Sequence, residues 1–278
     1  MKPKWILEKY TFEDNFDNIV SILKSKEIEY TILEDTPFDE QKEYTTYPSG
    51  DCVICYTSIN FLNRLQRKSN LWIPHSYSTF ENYKCSNYYK YFHNFLLNDE
   101  FIFLPFGLLK IKKDFIYDLF ESNKLFFRPD SGKKLFTGKV VTKEELNDFI
   151  DLEQSCYEVD PNEMVLINSS FGIESEWRFI VCKDKVIAGC KYKDKNKSIR
   201  ETIYNGEVWE FAQYILDKTE YRPDKAFSMD ICKCGETYYL LELNSFSCCG
   251  LYACDLEVVI DEITKLALED YKEIWEEN

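Results

Sequence analysis

The hydrophobic pattern of this chain changes period once, and that change narrows the available folds more than any other feature. Up to about residue 105, short apolar runs alternate with helical patterns: WILEKY, then FDNIVSILKSK, IEYTIL, DCVICY and INFLNRLQRK. Strand–helix–strand alternation predicts an open α/β sheet with mostly parallel strands. Beyond that point the strands lengthen and pair through short turns: LFFRPD into LFTGKVV, EWRFIVCKDKVIAGCKYK, and FSMDICKCGETYYLLELN. Helical patterns in GEVWEFAQYILDK and from Asp255 onward cover these hairpins, so the second lobe reads as α+β. The junction at about 105–110 divides the chain into residues 1–107 and 108–278. With 278 residues, 45% of them hydrophobic, two packed lobes are affordable.

Local patterns refine this frame. In NYYKYFHNFLL, Tyr88, Tyr89, Phe92 and Phe95 recur at helical spacing and predict a core-facing stripe, not a ligand box. Thr142 to Glu145, TKEE, is a capping-box pattern that opens a helix carrying Leu146, Phe149 and Ile150. The polar stretch from Glu34 to Gly50 reads as a loop. No run approaches the roughly 18 apolar residues that cross a bilayer, and MKPKWILEKY lacks the features of a signal peptide. The expectation is a soluble, cytoplasmic protein with no membrane partner. In a reducing compartment the 11 cysteines act as small buried hydrophobes. Alternation sends Cys52 and Cys55 to opposite faces, and two histidines with no paired CxxC spacing argue against zinc. A net charge of −15 disfavours a nucleic-acid surface but leaves room for a small basic pocket.

Three segments carry candidate chemistry. In the hairpin from Phe227 to Asn244, alternation projects Glu242 and Asn244 to one face, and the Cys234-Gly235-Glu236 turn brings Asp230 opposite Glu242 or within about two residues of it. Two carboxylates and an amide carbonyl then converge. Such carboxylates repel unless a cation lies between them, and hard oxygen donors suit Mg²⁺ or Mn²⁺; a solvated polar strand end is the alternative. In the second hairpin, a two-residue turn at Lys183-Asp184 sets Glu176 opposite Lys191 and Arg178 opposite Gly189, so Glu176, Arg178 and Lys191 share a face. Arginine offers a fork and lysine a point charge for phosphate oxygens; an ordinary cross-strand ion pair is the plainer reading. In FFRPDSGKKLFTGKVV, Arg128 ends a strand, and a short loop with Gly132, Lys133 and Lys134 leads to a strand carrying Gly138; small residues let backbone N–H groups approach phosphate closely and the lysines supply charge.

Together RPDSGKKLFTGKV, ESEWRFIVCKDKVIAGCKY and MDICKCGETYYLLELN resemble the ATP-grasp superfamily. More narrowly, they resemble its divergent clade named for an arginine and two lysines. That clade includes the eukaryotic translation initiation factor assembly protein and uncharacterised bacterial and phage proteins. The resemblance extends to STFENYKCSNYYKYFHNFLLN in the preceding domain. It implies a Rossmann-like pre-domain followed by an α+β ATP-grasp domain whose two subdomains clasp ATP. Asp230, Glu242 and Asn244 match the magnesium ligands, and Arg128, Lys134, Arg178 and Lys191 match the phosphate-contacting cations, with Glu176 beside them. EMVLINS matches the linker strand whose backbone, near Leu166 and Ile167, bonds adenine. Against the glycine-rich loops of typical members, Ser131-Gly132 is sparse. The implied reaction is ATP-dependent ligation of a carboxylate to an amine or thiol through an acylphosphate, with Lys134, Arg178 and Lys191 stabilising the moving phosphoryl group. A peptide, protein or small amino-acid-like molecule would be the substrate. The acceptor would enter beside SFSCCGLYACD, where Tyr252 and Asp255 are candidate contacts and capping or packing is the plainer role. The assembly-protein relative keeps a non-catalytic, nucleotide-dependent binding role in play.

Overall fold

The computed structural model describes residues 2–35, 47–68 and 72–276, so most of the expected loop from Glu34 to Gly50 lies outside the described residues. The N-terminal layer consists of β1 (Lys4–Glu8), α1 (Glu13–Ser25), β2 (Glu29–Leu33), β3 (Cys52–Tyr56), α2 (Ile59–Lys68) and β4 (Ile73–His75). Its four strands are all parallel, in the order β2-β1-β3-β4. The central strands read as unbroken apolar runs because both faces of a parallel sheet are covered. Trp5, Leu7 and Cys52 enter one core cluster, Ile6 and Cys55 another. The two thiols therefore do face opposite ways, and all eleven cysteines are free.

The chain continues through α3 (Cys85–Phe92), β5 (Phe101–Pro105), α4 (Lys113–Leu119), β6 (Lys124–Pro129), β7 (Lys139–Thr142), α5 (Leu146–Tyr157) and β8 (Met164–Ser169). It ends with β9 (Ser175–Cys182), β10 (Lys185–Asp194), β11 (Lys197–Ile203), α6 (Glu207–Lys218), β12 (Ala226–Cys234), β13 (Thr237–Ser245) and α7 (Leu256–Glu276). Two antiparallel sheets result, β5-β8-β6-β7 and β11-β10-β9-β12-β13. No helix among the described residues is long and apolar enough to cross a membrane.

On the N-terminal side of the expected boundary at 107/108, β5 pairs with β8 along its whole length, from Phe101 opposite Asn168 to Pro105 opposite Met164, so this antiparallel sheet takes in the chain from residue 101. FIFLP is apolar throughout, and nothing in its alternation says whether it pairs backward or forward. Tyr88, Tyr89 and Phe92 of α3 are buried as the stripe predicts, but against Phe179, Met229 and Leu240 of the five-stranded sheet. The capping box forms as expected: Thr142 Oγ1 donates to Glu145 Oε2 at 2.8 Å, and the Glu145 N–H donates back to Thr142 Oγ1 at 3.3 Å.

Two devices fix the geometry of the later hairpins. Lys183-Asp184 does make a two-residue turn, and the predicted register holds at Cys182–Lys185 and Val181–Val186. One-residue bulges between Val186 and Ala188 and between Lys191 and Lys193 then shift it, so Glu176 lies opposite Lys193, Trp177 opposite Lys191 and Arg178 opposite Cys190. In β12–β13 the turn is Gly235-Glu236, with Gly235 at φ 61°, and a bulge brings Glu242 directly opposite Asp230.

The N-terminal layer and the five-stranded sheet share one core. Trp5 and Leu7 lie in the same cluster as Ile180, Ala226 and the α7 residues Val259, Ile260 and Ile263. The segment after β13 is bonded repeatedly to the N-terminal layer and the chain that follows it. Thr57 N–H donates to Ser247 O (2.9 Å), Tyr77 N–H to Ser247 Oγ (3.0 Å), Tyr56 Oη to Cys249 O (2.7 Å) and Asn15 Nδ2 to Tyr252 O (2.7 Å).

Candidate functional site

Because β9, β12 and β13 are neighbours in register, Arg178, Asp230 and Glu242 stand in one row across the sheet, with Asn244 two residues along the same face. The row is almost entirely buried at one end: Asp230 is 1% exposed and Arg178 5%. Arg178 grips Asp230 through both forks, Nε to Oδ1 at 2.8 Å and Nη2 to Oδ2 at 2.7 Å, and its Nη1 donates to Gly250 O at 2.9 Å. Tyr252 and Tyr192, stacked at 4.9 Å, flank the guanidinium at 4.9 and 5.7 Å. Burial pushes the Asp230 carboxyl above its ordinary range, and the Arg178 charge opposes that push.

At the other end Glu242 meets two cations from the β6–β7 segment. Lys134 Nζ lies 3.2 Å from its Oε1 and Arg128 Nη2 3.3 Å from its Oε2, while Asn244 Nδ2 donates to Oε1 at 3.0 Å. Burial works against ionisation of Glu242, but Lys134 and Arg128 outweigh it and hold the carboxyl far below the usual range. Glu176 closes the group: it accepts from Tyr192 Oη at 2.7 Å and from Lys193 Nζ at 2.5 Å. A cleft of about 540 Å³ opens over these groups, walled by Arg128, Lys134, Glu176, Lys193 and Glu242 together with Phe126, Phe171 and Ile173. Four cations and three carboxylates thus converge where the two sheets face each other.

Several expected residues stand elsewhere. Lys191 is not on the face of Glu176 and Arg178. It lies 5.3 Å from the Trp177 ring and bonds Asp194 at 2.5 Å, because the bulge at Tyr192 turns the strand. Lys193 and Tyr192 occupy the place assigned to it; a bulge leaves no trace in the alternation, so sequence reasoning missed both. Leu166 and Ile167 are fully buried in β8, flanked by β5 and β6, and offer no free backbone edge to a ligand. The residues just beyond, Ser169, Ser170, Phe171 and Ile173, line the cleft instead. Gly132 serves packing: a Cβ there would lie 2.3 Å from Phe80 O, so the loop is docked on the N-terminal layer. Asp255 caps α7, its Oδ1 accepting from the Glu257 and Val258 N–H groups at 3.1 and 3.3 Å.

Two antiparallel sheets closing on a cleft, with cations on one and an acidic strand pair on the other, are the arrangement expected of an ATP-grasp protein. Residues 110–261 match the family described as ATP-grasp domain, R2K clade family 2, which covers more than half of the chain, and the chain belongs to that family. No functionally curated protein matches it by sequence. Among solved structures it is similar to D-alanine–D-alanine ligase from Bacillus anthracis, at 14% identity over 98% of this chain and 99% of that one, with a TM-score of 0.61. It is likewise similar to the ATP-grasp ligase PsnB complexed with minimal precursor (12%, 97% and 99%, 0.57) and to D-cycloserine synthetase DcsG (9%, 97% and 99%, 0.59). At these identities the likeness shows the fold.

Proposed function

We propose that the protein is an ATP- and magnesium-dependent ligase that joins a carboxylate to an amine or thiol through an acylphosphate. The carrying observation is the single cleft in which Arg128, Lys134 and Lys193 meet Glu242 and Glu176. Triphosphate oxygens would draw Lys134 and Arg128 away from Glu242, freeing its oxygens. Phe126, Phe171 and Ile173 supply the apolar walls that a purine needs. Phosphoryl transfer asks the protein for position and charge neutralisation more than for covalent chemistry. The substrate carboxylate attacks the γ-phosphorus, ADP leaves, and the amine or thiol then displaces phosphate from the acyl carbon.

The donor set fits a hard cation in part. Glu242 lines the cleft and Asn244, bonded to it through Nδ2, lines a smaller cavity on which Lys134 also borders, whereas Asp230 fits only by giving up one of its two Arg178 bonds. These residues would hold Mg²⁺ or Mn²⁺, which when bound supplies charge screening between phosphate oxygens. Lys134, Arg128 and Lys193 neutralise the remaining charge, and Arg178 keeps Asp230 oriented.

Incubation with Mg²⁺, ATP and pooled amino acids and peptides tests the reading. ADP release that rises with an added acceptor is the expected result. Tight ATP binding without turnover under any acceptor would point instead to a nucleotide-dependent assembly role, and a stable phosphorylated product to a kinase. A finer test separates the two lysines. Lys193→Met should weaken ATP binding about tenfold, the scale of one charge-assisted bond, while Lys191→Met leaves it unchanged within error in calorimetric titration.

A further inference from the structure

Two free thiols outside the nucleotide cleft lie in contact. Cys254 Sγ is 3.5 Å from Cys190 Sγ, although the residues are 64 apart in the chain. Cys190 is buried in β10, opposite Arg178 of β9 and Thr202 of β11. Cys254 is buried in the loop between β13 and α7, flanked by the partly exposed Ala253 and Asp255, which leaves a route for an oxidant as small as hydrogen peroxide. The hydrogen bond from Cys254 holds the Cys190 thiol below its ordinary range against the cost of burial, and the Arg178 charge acts in the same direction. The thiolate is the form that oxidants attack, and a second thiol in contact turns the first oxidation product into a disulfide.

The pair joins a fixed strand to a loop that touches Arg178. β10 is held in two ladders, by β9 and by β11. The loop presents Gly250 O to Arg178 Nη1 at 2.9 Å and the Tyr252 ring to its guanidinium at 4.9 Å. A disulfide needs the sulfurs to close to about 2.05 Å, and with β10 fixed the loop supplies that movement. Arg178 is then gripped from the loop side while its other groups hold Asp230.

We propose that Cys190 and Cys254 form a reversible disulfide when hydrogen peroxide reaches them, and that the bridge withholds Asp230 from metal by keeping it on Arg178. The bond stands on the sulfur geometry alone. Its effect rests on the ligase reading, in which Asp230 reaches a cation only by giving up an Arg178 bond. In the first step one thiol loses its proton and attacks a peroxide oxygen, the O–O bond breaks, hydroxide leaves and a sulfenic acid remains. The other thiol then attacks that sulfur, the S–O bond breaks and water leaves. Two R–SH and H₂O₂ give R–S–S–R and two H₂O, sulfur being oxidised and peroxide reduced. A small dithiol restores both thiols by exchange.

Cys156 is exposed and would cross-link separate molecules, so the test uses the full chain with Cys156→Ser. The purified protein is treated with hydrogen peroxide, quenched with catalase and digested without reductant. Mass spectrometry should find a peptide pair that joins Cys190 to Cys254 and is lighter by two hydrogens. The melting temperature of the oxidised protein should rise by roughly 10 °C, the scale for closing a loop of this length, and fall back with dithiothreitol. In calorimetric titration, oxidation should weaken ATP binding with Mg²⁺ at least about tenfold, the scale for disturbing a partner of a metal ligand, and leave binding in EDTA unchanged within error. Adding Cys254→Ala should remove all of these responses and leave the ATP affinity of the reduced protein as it was. No Cys190–Cys254 peptide after peroxide, or a bridge from either residue to another cysteine, would overturn the bond. A bridged protein with unaltered affinity for ATP and Mg²⁺ would overturn the switch. Absence of ATP binding in the reduced protein would instead remove the ligase reading and leave the disulfide standing.

Discussion

Asp230→Ala is expected to destabilise the folded protein by about 3–5 kcal/mol, the scale for removing one partner of a buried ion pair. Arg178 would keep its charge at 5% exposure, with two N–H groups that had met Asp230 at 2.7 and 2.8 Å left facing no acceptor. At about 2–4 °C per kcal/mol for a chain of this size, the melting temperature should drop by roughly 10 °C in calorimetry. Replacing both partners, Arg178→Met with Asp230→Leu, should recover most of the loss, since two apolar side chains leave no orphaned charge. Strictly additive losses in the double variant would show that the two side chains do not act as a unit. A failure of Asp230→Ala to bind nucleotide therefore says little about metal ligation, because the fold itself is damaged.

Glu242→Gln separates those effects. The side chain is 20% exposed, and a glutamine keeps an oxygen for the Asn244 amide and the neighbouring cations, so the melting temperature should move by only a few degrees. ATP-dependent ADP formation should nevertheless fall by at least about 100-fold, since disturbing even the outer partners of metal ligands costs about 10–100-fold. The sharper result concerns metal removal. With excess EDTA, Glu242→Gln should bind ATP more tightly than wild type, because Lys134 and Arg128 lose the carboxylate that competes for them. With Mg²⁺ the order should reverse. Titration calorimetry under both conditions reads the crossover, and an equal loss with and without Mg²⁺ would remove Glu242 from the metal site.

Much of this arrangement was legible in the chain. The parallel layer followed from strand–helix alternation, the Thr142–Glu145 capping box formed as read, and the short turn at Gly235 brought Asp230 to within one residue of Glu242, a bulge supplying the last step. What escaped is what alternation cannot encode. Bulges beside Ile187 and Tyr192 are local insertions that exchange which side a residue faces, and they put Lys193, not Lys191, on Glu176. β5 paired forward with β8 because only the partner strand, not the composition of FIFLP, decides where a uniformly apolar run docks. Leu166 and Ile167 lie inside β8, whose interior position consumes their backbone groups in two ladders.

The aromatic helix α3 has a practical consequence. Its buried rings complete the hydrophobic interior beneath Phe179 and Leu240, and α7 carries Val259 and Ile263 against Trp5. A fragment excised at the start of the matched family region would lose Tyr88 and Phe92 and uncover the apolar undersides they seal. Recombinant work on the matched ATP-grasp portion by itself would then report on sticky, poorly folded material, and exchange of the N-terminal portion between relatives would require redesign of both surfaces at once.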